Sequence, residues 1–235
     1  HPIASVITSV IEKKITFITR GLHEVRNLQA ENFVAEKFAL TTYSRLAEGF
    51  ARDFLFLQTD CTLLIAGNPQ IMEGKLKSYE SKNPPKYRLI FNPIDNITNF
   101  ARGFNDCGCS FTLQSIVAEN KFEDIFCLFY SFKTLKFLYS EYKGITYIEN
   151  KRMKAIYRKT SLVLSLNTEK LINENLGEKL KNTKIKQIIS RDSFVSDFID
   201  IANGSLDGIV YKNIPVYNAI SISILCNSLA LFTNG

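Results

Sequence analysis

The sequence predicts a layered fold of helices and sheets, built as two halves that meet near residue 150. Three observations lead there. Apolar residues in the first quarter of the chain recur at helical steps. The middle is a succession of short, alternating apolar segments. After Lys154, strand-like and helix-like segments take turns.

Ile3, Ile7, Val10, Ile15, Ile18, Leu22 and Val25 step by three to five residues and predict one long first helix. Leu46, Phe50, Phe54 and Leu57 repeat that pattern and predict a second helix starting near Thr42 or Ser44. Residues 62–66 read as a short buried strand stopped by Gly67 and Pro69, and the polar stretch 72–86, with Pro84-Pro85, reads as a loop. A strand over 87–91 ends at Asn92-Pro93. The segments 109–117, 125–132, 135–141 and 145–148 are spaced as an antiparallel meander, with Lys133-Thr134 as a tight turn. In the second half, strands are expected at 161–166, 185–189, 207–211 and 229–232. Helices are expected at 168–181, 193–202 and 215–225, the last with Pro215 at its start. The division is thus 1–150 and 151–235, forming one two-lobed unit.

Composition narrows the class. Of 235 residues, 46% are hydrophobic and 22% charged, which excludes a disordered or collagen-like chain. A chain of this length buries a sizeable core without disulfides. The net charge of +6 permits acidic partners, phosphate ligands or nucleic acid, and no nucleic-acid-binding motif singles out the last. The cysteines Cys61, Cys107, Cys109, Cys127 and Cys226 are odd in number and form no C-x-x-C pair. With only two histidines, this argues against zinc and for buried free thiols in a reducing cytoplasm. No apolar run reaches the ~18 residues of a membrane span. His1-Pro2 lacks a Met and reads as a processing remnant, and residues 3–18, interrupted by Glu12-Lys13-Lys14, do not read as a signal peptide.

The most informative segment is Phe91-Asn92-Pro93-Ile94-Asp95-Asn96-Ile97-Thr98-Asn99-Phe100. It resembles the D-P-[IL]-D-G-T-x-N-F signature of the inositol monophosphatase family, and the similarity continues through Arg102-Gly103-Phe104 into the strand at 109–113. Ile65-Ala66-Gly67-Asn68-Pro69 stands where that family has I-G-E-E. The run Ala202 to Gly208 resembles A-x-G-x-x-D-G, and Tyr217-Asn218-Ala219 lies where W-D-x-A-A opens a late helix. On these landmarks, which span nearly the whole chain, it is identified as a member of the family, of the bacterial extragenic-suppressor type. The resemblance implies an α+β fold layered α-β-α-β-α, with two N-terminal helices on a large, mainly antiparallel sheet and a smaller α/β half. It also implies Mg²⁺-dependent phosphomonoester hydrolysis and a homodimer.

The chemistry explains the signature. Two carboxylates at i and i+3, with a backbone carbonyl between them, grip a hard cation. A Glu from the preceding strand and an Asp from the late helix complete a cluster that activates water. Backbone N–H groups after the second Asp hold phosphate oxygens.

Placed on that scheme, the first signature Asp is Asn92, the carbonyl ligand is Ile94, and the second Asp is Asp95, which is kept. The phosphate-holding positions are Asn96, Ile97 and Thr98, with Ile97 at the catalytic Thr. The two Glu positions are Asn68 and Pro69, the late Asp is Asn218, the substrate-binding acid is Tyr211, and an upstream Asp aligns with Ser44. One carboxylate remains where the resemblance implies about five, and Mg²⁺ depends on anionic oxygen ligands. The expectation is a catalytically impaired pseudo-phosphatase with no tightly bound cofactor, acting by binding a partner or a small anion such as phosphate. The alternative is an active Mg²⁺-dependent inositol or sugar phosphatase whose ligands have moved to Asp60, Glu73 or Asp106. Asn92 and Asn218 are expected to meet near Asp95, which also reads as the N-cap of the helix after it. Arg102 and Arg191 are candidates to face anions. Nucleic acid or the transcription machinery enters as a partner only through what the resemblance implies for bacterial relatives. No membrane partner is expected.

Overall fold

The computed structural model describes residues 1–28, 31–66, 76–149, 151–153, 162–166, 184–211 and 214–229. Three helices open the chain: α1 (Pro2–Glu12), α2 (Ile15–Asn27) and α3 (Asn32–Leu57). The expected single first helix is thus two. At Lys13 and Lys14 the chain turns, the Lys14 N–H bonding Ile11 O at 2.7 Å, and the Lys14 ammonium leaves for Asp53 on α3 at 2.6 Å. The apolar stripe continues across this break because both helices bury the same side, which is why periodicity alone did not reveal it. The second expected helix begins ten or more residues earlier than read. Ala35, Ala39, Tyr43, Leu46, Phe50 and Phe54 form one continuous buried stripe, whose small first members gave little hydrophobic signal.

Eight strands follow as one sheet in the order β2-β1-β3-β4-β5-β6-β7-β8. They are β1 (Cys61–Ala66), β2 (Leu76–Tyr79), β3 (Tyr87–Asn92), β4 (Gly108–Ala118), β5 (Lys121–Ser131), β6 (Phe137–Glu141), β7 (Thr146–Ile148) and β8 (Lys151–Arg152). Only β1 and β3 pair in parallel; the other neighbours are antiparallel. Strand β2 lies in the stretch read as a loop. It is a mostly exposed edge strand, so it has no alternation to detect. Strand β8 carries the large sheet to Arg152, just past the expected boundary at 150.

Alternation along the strands sorts side chains to two faces. Phe91, Cys109, Phe111, Leu113, Phe126, Leu128 and Tyr130 pack under α1–α3, while Cys127, Phe129 and Leu138 face the other way. On that second face lie α5 (Phe194–Ala202) and α6 (Val216–Leu229), through Phe194, Val195, Phe198, Ile224 and Leu225. A short α4 (Ile97–Ala101) follows β3. A second, parallel sheet, β10-β9-β11, comprises β9 (Leu162–Leu166), β10 (Ile185–Ile189) and β11 (Gly208–Val210). The order is helices, large sheet, helices, small sheet, which is the α+β layering expected from the sequence. The helix expected at 168–181 lies outside the described residues. Of the strand expected at 229–232, Leu229 ends α6 instead, and the rest lies outside the described residues.

All five cysteines are free, four of them buried, as the odd count suggested. The centre of the first core is aromatic: Phe91 and Phe111 stack at 4.5 Å, with Phe50 against them at 4.4 and 5.1 Å. Phe111 is fully buried. Phe111→Ala should therefore cost ~3–5 kcal/mol, since the packed rings cannot collapse into the space, and chemical denaturation will measure it.

Candidate functional site

The signature loop runs between β3 and α4, and its retained acid is its most constrained residue. Asp95 is half-buried, with its carboxylate turned inward. Its Oδ1 accepts from the Gly108 N–H at 2.7 Å; its Oδ2 accepts from the Val195 N–H at 2.8 Å and from the Ser193 hydroxyl at 3.0 Å. The Asp95 N–H returns to Gly108 O at 2.9 Å. The carboxylate thus joins the start of β4 to the first turn of α5. The N-cap of α4, expected at Asp95, is instead Asn96, whose Oδ1 accepts from the Asn99 N–H at 2.9 Å. Asp95 caps too, but it caps a helix a hundred residues away, at whose N-terminus an anion is favoured.

Asn92 and Asn218 are brought into one buried polar seam. Asn92 ends β3 directly opposite Ser110, and Thr112, the next residue on that face of β4, meets Ser221 of α6 at 2.5 Å. Asn218 lies one turn before Ser221 on α6. All five side chains are at least nine-tenths buried, and Asn218 Oδ1 has no hydrogen-bond partner among the described residues. The seam contains two amides and three hydroxyls, and no charge. Ile94 and Ile97 are buried apolar residues, and Thr98 is exposed. Ser44 is exposed on α3. Asn68, Pro69 and Glu73 lie outside the described residues.

The other candidates have structural partners. Tyr211 donates its hydroxyl to Asp197 at 2.7 Å. Asp60 pairs with Lys86 at 3.8 Å. Asp106 pairs with Lys133 at 2.9 Å and with Arg191 at 3.7 Å. Arg191 faces no open anion seat, for it also pairs with Asp197 at 2.8 Å and Asp200 at 2.6 Å.

Asp197 itself was missed by the sequence reading. It is completely buried in α5, where Arg191, Tyr211 and the Ser165 hydroxyl of β9 surround it, so it joins α5 to the small sheet. The available signal was an acid inside the apolar run Phe194-Val195-Ser196-Asp197-Phe198. Burial raises its carboxyl above the ordinary range, against the bonds that favour the ionised form.

No family model matches the sequence, and no curated protein matches it. Solved structures do match. The extragenic suppressor protein suhB from Bartonella henselae superposes with a TM-score of 0.72 at 13% identity, over 97% of this chain and 85% of that one. Inositol monophosphatase-II from Staphylococcus aureus MSSA476 gives 0.71 at 11% identity, over 98% and 82%. A Ca-bound IMPase family protein from Staphylococcus aureus gives 0.72 at 12% identity, over 97% and 81%. This chain has the inositol monophosphatase fold. At such identities the likeness carries the fold and leaves the chemistry to the residues present.

Those residues fit a divalent metal poorly. Among the described residues, no group of three or more His, Cys, Asp or Glu side chains is placed to hold an ion. The seam offers neutral amide oxygens, and both oxygens of Asp95 are already taken. In the inositol monophosphatase fold of this chain, the signature acid works as a strut.

The strut has a pH signature. Burial pushes the Asp95 carboxyl up to about 7, while its three donors favour the charged form less strongly; Asp197 adds to the rise. The folded state then holds this proton more tightly than the unfolded chain does. The contribution of Asp95 to stability is complete below about pH 4 and is lost as pH rises through about 7. Asp95→Asn should flatten the pH dependence of Tm over that window. It should also cost ~1–3 kcal/mol, because a single amide oxygen cannot serve both Gly108 and Val195. Thermal melts of the two proteins from pH 4 to pH 8 give both quantities.

Proposed function

We propose that this protein is a non-hydrolysing member of the inositol monophosphatase family that acts by binding a partner or a small anion. The observation that carries this reading is the state of Asp95. The one signature carboxylate kept by the chain spends both oxygens on Gly108, Ser193 and Val195, while Asn92 and Asn218 bring no charge. Mg²⁺ sheds water reluctantly and needs anionic oxygens to replace it. Without such ligands no water is activated and no leaving oxygen is shielded. Ile97 adds no hydroxyl, and Tyr211 presents a phenol bonded to Asp197 in place of a substrate-binding acid. A homodimer, taken from the resemblance, and a cytoplasmic location, taken from the free thiols, belong to the same reading. Among the described residues, no helix is long and apolar enough to cross a membrane.

A second reading, a working Mg²⁺-dependent phosphomonoesterase with atypical ligands, has one observation in its favour. Asn218 Oδ1 is buried without a partner, and an amide oxygen is a permissible cation ligand. The two readings separate cleanly. With inositol 1-phosphate and either Mg²⁺ or Mn²⁺, phosphate release should not exceed the blank, and calorimetric titration with Mg²⁺ should show no saturable heat. Micromolar Mg²⁺ binding that disappears in Asp95→Asn would overturn the non-hydrolysing reading.

A further inference from the structure

We propose that the signature loop is a latch that fastens α5 and the Arg191–Asp192 strap to the large sheet, with Asn96 as its bolt. The loop and the first turn of α4 reach across by three side chains. Asp95 holds the first turn of α5, as described above. Asn96 donates through Nδ2 to Asp192 O at 2.9 Å and to Arg191 O at 3.3 Å, while its Oδ1 caps α4. Asn99 donates to Arg191 O at 2.7 Å and to Asp106 O at 2.8 Å. The Arg191 guanidinium closes the ring on the Asp106 side chain. Apart from the Asn96 cap and the bonds to Gly108 and Asp106, these contacts join residues more than eighty positions apart, so no local preference maintains them.

Two further features show that the strap is held in place. Asp192 has a φ of 53°, a left-handed conformation uncommon for a residue with a side chain, and its carbonyl is the one that Asn96 grips most closely. Gly108 leaves no room between the halves: a Cβ there would lie 2.3 Å from Tyr130 O and 2.6 Å from Val195 Cγ1. The first turn of α5 therefore sits directly on β4, at the point where Asp95 binds both. With the latch closed, the Val195 N–H and Asp95 Oδ2 are engaged with each other. Releasing the strap is what would free them for anything else. This device is independent of whether the cleft hydrolyses a phosphate ester.

Asn96 separates the latch from the core, because it is polar and only half-buried, and its loss opens no cavity. Asn96→Ser keeps an oxygen able to cap α4 but is too short to reach the two strap carbonyls. Hydrogen–deuterium exchange of the whole chain, read by mass spectrometry, should show backbone amides over 193–203 exchanging at least tenfold faster in this variant. Those of α1–α3 should be unchanged. Asn96→Asp provides a second route should Asn96→Ser not fold. It preserves the cap and the volume but turns a carboxylate toward the two carbonyls, and it should produce the same regional pattern. Exchange over 193–203 equal to the parent, or an increase spread evenly over the chain, would overturn the latch.

Discussion

The first turn of α5 is fixed to the large sheet through one half-buried carboxylate. Asp95 lies where β3 has ended and α4 has not begun, and its oxygens collect an N–H from β4, an N–H from α5 and a hydroxyl from the α5 cap. A carboxylate drawn away from water needs hydrogen-bond donors in its place, and here three come from two separate regions of the chain. The cost of burial and the joining of the two halves are therefore one arrangement. Gly108 completes it, since its lack of a side chain lets α5 close onto the sheet far enough for the bonds to form.

The amides around this strut follow the same logic. A cluster of carboxylates in one cleft repels itself unless a cation is present, and its members take up protons or destabilise the fold. Asn92 and Asn218 have nearly the size of an aspartate but carry an uncharged amide that both donates and accepts, so the seam between β3, β4 and α6 is a neutral polar interior. The acid that is fully buried elsewhere, Asp197, has the opposite solution. It keeps its charge partnered by Arg191 and uses a second oxygen on Ser165 and Tyr211. Tyr211 is thereby committed to the interior of the small half.

The layering was legible in the sequence because alternation and helical spacing are local. The meander from β4 to β7, the helix read over 193–202, and strands β9, β10 and β11 followed from neighbouring residues. The order of the signature, from Asn92 to Phe100, was enough to point to the fold that solved structures later matched. Where local signals were silent or misleading, the reading failed in physical terms. The break at Lys13–Lys14 is set by a salt bridge to α3, the early start of α3 rests on alanines that hardly register as hydrophobic, and β2 is an exposed edge.

The sequence by itself determined which residue types stand at the site: one Asp, several Asn, an Ile and a Tyr, a set with little charge to offer a divalent ion. It could not determine what Asp95 does. An Asp before a helix is, by local rules, that helix's cap, yet Asn96 takes that role and Asp95 turns to Val195. That choice depends on where α5 docks, which depends on Gly108, Arg191 and the packing of Phe194 and Phe198 against Phe129. Hydrogen bonds between residues a hundred positions apart carry no signature in either neighbourhood. Only the closed tertiary structure decides whether a carboxylate serves a ligand or the fold.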